Sequence, residues 1–218
     1  MRLVILAIAF AIATSGCKRR EDQQLDMSEE DSLLVGDYLF VAKDDVRERC
    51  PPGTFLLTHE VSSLAHSIAN DEPFDLSNDP LALSLLDSMS NASSRESRRF
   101  HFWVVTKSLK HSDGYYAEGV GAWGSEFLFN KPTEFLDAWG ECISDTDQVS
   151  WAWYLAAEEN IESEGYPVDD VMKAYRKRLH SATMDLPNSL LSIRSLLLHR
   201  IDSIYHELAK DDRPINSE

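Results

Sequence analysis

The chain has 218 residues, with 37 acidic against 21 basic side chains and a formal net charge of −16. A balance this acidic excludes the basic footprint that nucleic-acid binding requires. With 43% hydrophobic residues, there is enough apolar material for one domain that buries roughly 70% of its unfolded surface.

Met1 and Arg2 give a short positive start, and Leu3 to Ala13 is an unbroken run of eleven apolar residues, followed by Thr14, Ser15 and Gly16. A helix needs about 20 apolar residues to cross a bilayer, so this run fits the apolar core of a signal peptide instead. Residues 1–16 are therefore expected to be removed. Thr14-Ser15-Gly16-Cys17 resembles a bacterial lipobox, with Thr14 where the family usually has Leu. The resemblance implies that Cys17 is diacylated and becomes the mature N-terminus, an anchor that a single acyl chain would not provide. Lys18 follows it, and in lipoproteins of this kind that implies sorting to the outer membrane, facing the periplasm. Loss of Arg2 with the signal leaves 20 basic against 37 acidic residues, so the mature net charge is −17.

Lys18 to Asp31 has almost nothing to bury and reads as a disordered tether within residues 17–31. Its fourteen residues extend to at most about 45–50 Å. From Ser32 to 210 the helical period dominates, and 211–218 reads as a disordered tail. Phe55–Ala69 and Leu81–Met89 are predicted helices. Phe100 to Thr106 is rich in aromatic and β-branched residues, so a short strand and a hairpin at Asp113-Gly114 compete there with two helices. Helices are preferred, because Tyr116, Val120, Trp123 and Phe127 form a stripe that Ser112 or Asp113 could cap. Pro132 and Pro167 sit where first-turn prolines open helices, predicting Thr133–Ile143 and Val168–His180. Val149–Ala157 is apolar except at Ser150, which predicts a helix buried nearly all round, capped by Asp145 and Gln148. Asp185 and Pro187 precede a last helix whose stripe is Leu190, Ile193, Leu197, Ile201, Ile204 and Leu208. Phe129 to Leu136 resembles the inter-helix turn of a HEAT-like pair, and Asn70 to Leu86 resembles it loosely. The expected fold is all-α, an irregular array of antiparallel helices of HEAT-like or bundle type.

Cys17 apart, Cys50 and Cys142 are an even pair for an oxidising compartment. Joined, they would close a loop of about 90 residues, worth roughly 4.5 kcal/mol by chain entropy; as unpaired thiols they would be ordinary core residues.

Gly119-Val120-Gly121-Ala122-Trp123-Gly124 spells G-x-G-x-x-G, but no buried strand precedes it, so helix packing explains the glycines better than a dinucleotide. Gly121 to Gly124 also resembles the Gly-Ala-x-Gly segment of lytic transglycosylases, which would make Glu118 or Glu126 the acid. The flanking residues of that family's motif are absent. The seven histidines never reach a metal-ligand spacing, and Asp145-Thr146-Asp147 lacks the glycine of a calcium loop. No metal and no cofactor is expected, and no enzymatic activity.

Residues 131–170 hold eleven acidic side chains and one basic, whereas 171–200 hold six basic and one acidic. Trp139, Trp151 and Trp153 lie inside the acidic stretch. Aromatic anchors beside dense negative charge suit a basic protein partner, with Glu158, Glu159, Glu162, Glu164, Trp139 and Trp151 as contacts. The expectation is a lipid-anchored, periplasm-facing binding protein, in its sharpest form an immunity-type inhibitor of a toxin. Two alternatives stand beside it, a cell-wall hydrolase and a scaffolding or pilotin-like lipoprotein.

Overall fold

The computed structural model describes residues 55–211 except 57, 58, 78, 113 and 164. Cys17, Cys50, Glu164, the expected signal segment and tether, and residues 212–218 lie outside the described residues. Eight α-helices follow one another among the described residues: α1 Ser63–Ala69, α2 Asp79–Asn91, α3 Arg95–Ser108, α4 Gly114–Asn130, α5 Pro132–Glu141, α6 Asp145–Glu162, α7 Val168–Ala182 and α8 Asn188–Asp211. No strand occurs among the described residues, which form an all-helical array.

Local chemistry sets most boundaries. Ser62, Ser94 and Ser144 cap α1, α3 and α6, each hydroxyl accepting from the amide three residues on. Pro132 occupies the first turn of α5, where its missing N–H costs no hydrogen bond. Lys107 reaches the other end of α1, donating to the Ala69 carbonyl at 3.1 Å and pairing with Asp71 at 2.7 Å. That is the favourable place for a cation on a helix dipole.

Two boundaries and one burial pattern differ from expectation. Phe55–Ala69 is not one helix, because residues 59–62 are non-helical and Ser62 starts α1. The cap of α6 is Ser144 rather than the Asp145/Gln148 pair: Ser144 accepts from the Asp147 amide at 3.2 Å and donates to its carboxylate at 2.7 Å. Nor is α6 buried all round. Gln148, Trp151, Ala152, Leu155 and Ala156 form one buried stripe, while Val149 is 48% exposed.

The ambiguous segment 100–106 is helical. From residue 98 to 108 the less buried positions are Arg99, Trp103 and Lys107, at steps of four, whereas a strand would expose every second residue. At its end a short 3-10 turn, Leu109–His111, leads to Gly114, whose φ of +46° opens α4. Gly114 is thus the first residue of a helix and not part of a hairpin turn.

Packing centres on α6, which lies against α8 and α4, while α2 lies against α3 and α4. Two glycines of α4 decide how near α6 can come. A Cβ on Gly124 would lie 2.7 Å from the Trp151 ring, and one on Gly121 would lie 3.0 Å from the Tyr154 carbonyl. Gly119 faces α2, with Leu86 at 2.8 Å from the same construction. All three glycines of G-x-G-x-x-G serve close helix contact. Trp151 stacks on Phe102 at 4.9 Å and donates to the Thr106 hydroxyl at 2.8 Å, and Phe135 stands edge-on to both rings. On α8 the stripe points inward as expected: Leu190, Leu197 and Ile201 are buried, joined by Tyr205.

Candidate acidic docking surface

The acidic stretch 131–170 does not fold into one patch. Glu134, Asp137 and Glu141 lie on α5 facing the arginines of α3. Arg98 grips Glu134 with Nε at 2.7 Å and a terminal nitrogen at 2.8 Å. Arg95 and Arg99 share Asp137, and Arg99 also reaches Glu141. These three acids are neutralised within the scaffold. Arg99 Nε also donates to Cys142 Sγ at 3.0 Å; pairing of Cys142 with Cys50 is a question that reaches outside the described residues.

Trp139 and Trp151 are fully buried. As partner contacts they are corrected: Trp151 belongs to the aromatic core, and Trp139 lies under Arg200, whose guanidinium is 5.5 Å from its ring. Helical spacing put both on the inward face, and a buried indole cannot meet a partner without unfolding.

What stays outward is the end of α6, the turn 163–167 and the start of α7. Glu158 and Glu162, one helical turn apart, have no cation within ion-pair distance among the described residues. Half-burial raises the Glu158 pKa above the ordinary carboxylate value, and the charges of Glu162, Glu159 and Glu118 raise it further. Asp169 and Asp170 occupy the first turn of α7, where the helix dipole favours them. Glu159 differs from these acids. Its side chain is only 12% exposed and takes Arg178 at 2.6 Å; burial still raises its pKa, against the opposing pull of Arg178.

Two apolar side chains project between the acids, Ile161 at 65% and Tyr166 at 71% exposure. Tyr166 borders a shallow depression of about 220 Å³ that is also lined by Glu159, Glu162, Ser163, Asp170, Val171 and Ala174. Gly165, at φ +90°, lets the chain turn there. The Ser163 hydroxyl meets the buried Tyr205 hydroxyl at 2.8 Å, which ties the turn to α8. Sequence reasoning missed Ile161 and Tyr166. A signal did exist, since a tyrosine between Gly165 and Pro167 in a polar turn has no helix face to bury it.

Glu118 and Glu126 of α4 are both exposed. No group of three or more potential metal ligands occurs among the described residues, and no described helix is long and apolar enough to cross a membrane. No family model, curated protein or solved structure matches the chain.

Proposed function

We propose that this is a lipid-anchored, periplasm-facing protein that acts by binding a basic protein through the α6–α7 surface, as an immunity-type inhibitor of a toxin would. The observation that carries the reading is that Glu162, Asp170 and the exposed Tyr166 line one depression, with Glu158 and the exposed Ile161 on the same end of α6 and Asp169 in the first turn of α7. Acids without a cation of their own steer a positive partner in, and desolvated apolar anchors hold it. The lipobox resemblance at Cys17 supplies the address. A hydrolase built on Glu118 or Glu126 would need its acid protonated in a dry groove, and both are at solvent-exposed positions.

The test is a charge reversal that leaves the scaffold pairs alone. Glu162→Lys with Asp170→Lys alters two exposed acids of the depression, sparing Glu159 and the α5 ladder. Wild type and variant are compared as baits against the periplasm and secretome of the producing strain. A basic protein retained by wild type alone, with an association rate that falls steeply as salt rises, supports the reading. Identical partner lists for the two baits refute it.

A further inference from the structure

Arg178 of α7 is held in an unusual way for a surface arginine. Its terminal nitrogen sits 2.6 Å from Glu159 of α6. Its guanidinium carbon stands 4.2 Å from the ring of Phe129 in α4 and 5.3 Å from that of Tyr175. Those two rings meet edge to face at 5.6 Å. A carboxylate with two aromatic faces is the environment that selects a guanidinium over an ammonium, since only the planar ion can stack and pair together. The box itself is largely buried: the Glu159 side chain is 12% exposed and Tyr175 is fully buried, with a hydroxyl that has no hydrogen-bond partner among the described residues. The arginine is the exposed member, with 45% of its side chain in solvent. Glu159 also lines the depression beside Tyr166, so a side chain entering there reaches the same carboxylate.

We infer that Glu159, Phe129 and Tyr175 form a guanidinium box which Arg178 fills from within the chain, and that an arginine of the basic partner displaces it on docking. The inference rests on the docking role proposed above. Arg178 is then a built-in competitor: it keeps a half-buried carboxylate neutralised until a matched ion arrives, and it discriminates against lysine-rich proteins that cannot use the aromatic faces. It swings outward on displacement, while the box stays where it is.

The experiment titrates the full chain with hexa-arginine and hexa-lysine peptides by calorimetry. Arg178→Ala removes the competitor, and Lys177→Ala, at an exposed neighbour, makes the same charge change away from the box. Arg178→Ala is expected to tighten hexa-arginine binding about tenfold and hexa-lysine binding less than about threefold, while Lys177→Ala changes either less than about twofold. Unchanged or weaker hexa-arginine binding by folded Arg178→Ala overturns the inference, and so does an equal gain in Lys177→Ala, which would mark bulk charge. Should Arg178→Ala fail to fold, Arg178→Lys keeps the charge and loses the stack; a gain of about threefold for hexa-arginine supports the box, and no gain overturns it. Failure of the wider docking role reads differently, as a natural partner list indifferent to Glu162→Lys with Asp170→Lys whatever the peptides do.

Discussion

Replacing Gly124 by alanine sets two known effects of opposite sign against each other inside α4. Helix propensity favours the change, alanine being better than glycine by about 1 kcal/mol in a helix interior. Packing opposes it, because the new methyl would lie 2.7 Å from the Trp151 ring. Relief requires a movement of roughly 0.7 Å to reach ordinary contact near 3.4 Å. The indole cannot give way cheaply, since it is stacked on Phe102, edge-on to Phe135 and hydrogen-bonded to Thr106. The cost should fall at the upper end of the overpacking range, about 3 kcal/mol, leaving a net loss of about 2 kcal/mol. For a domain of this size that is a fall in Tm of about 4–8 °C. Gly119→Ala is the internal control. Its methyl would meet the Leu86 and Leu83 side-chain ends at 2.8 and 3.3 Å, which rotate more readily, so the two effects should cancel to within about 1 kcal/mol. Urea unfolding followed by circular dichroism measures both. Gly124→Ala as stable as wild type would refute the view that this glycine exists to admit Trp151.

Other consequences are more quickly stated. Glu134→Ala leaves Arg98, whose side chain is 11% exposed, without its carboxylate and should cost about 2–4 kcal/mol in the same assay; a loss below about 0.5 kcal/mol would contradict the α3–α5 clamp. Burial and the neighbouring carboxylates raise the Glu158 pKa above the ordinary carboxylate value, so its protonated form is the one the fold favours. Its contribution is fully present below about pH 4.5 and lost as pH rises through the folded pKa. Glu158→Gln should therefore stabilise the fold slightly at pH 7, by under about 1 kcal/mol given the group's partial exposure, and the advantage should vanish near pH 4; a pH-independent difference would count against the like-charge account. Cys17→Ser should release the protein from washed membranes with its helical content unchanged, and a variant that still pellets would remove the lipid anchor. Non-reducing peptide mapping of protein taken from the periplasm should recover Cys50 and Cys142 joined, and two free thiols would exclude that pairing.

Helix positions were legible because apolar spacing and stop signals agree in this chain. The α8 stripe from Leu190 to Leu208 and the proline openings at Pro132 and Pro167 each left a mark that needs no tertiary knowledge. The 100–106 segment was harder, since β-branched and aromatic residues suit either state; the deciding fact was an outward row four residues apart, visible only once burial is known. The candidate site was half legible. Counting charges over 131–170 ignored the arginines of α3, some 40 positions earlier, which absorb Glu134, Asp137 and Glu141. Ion pairs between distant helices depend on which faces meet, and no local pattern encodes that. The tryptophans misled for a similar reason. Trp139 and Trp151 fall on the same helix faces as Leu136, Ala152 and Leu155, and those faces turn inward.

The docking proposal has a consequence for how affinity would arise. Association costs ordering entropy wherever the binding groups are loose, so a surface held in advance loses less on binding. Here the turn between α6 and α7 is pinned by Ser163 to Tyr205 of α8, and its flank by Glu159 to Arg178. Ile161 and Tyr166 flank Ser163 in the chain, close to those ties. Long-range attraction by Glu158, Glu162, Asp169 and Asp170 would set the encounter rate, and the two apolar anchors with the box around Glu159 would set its lifetime. Salt and charge reversal should therefore act on association, whereas Tyr166→Ala and Phe129→Leu should act on dissociation. A partner whose dissociation ignored both aromatic changes would be bound elsewhere on the molecule.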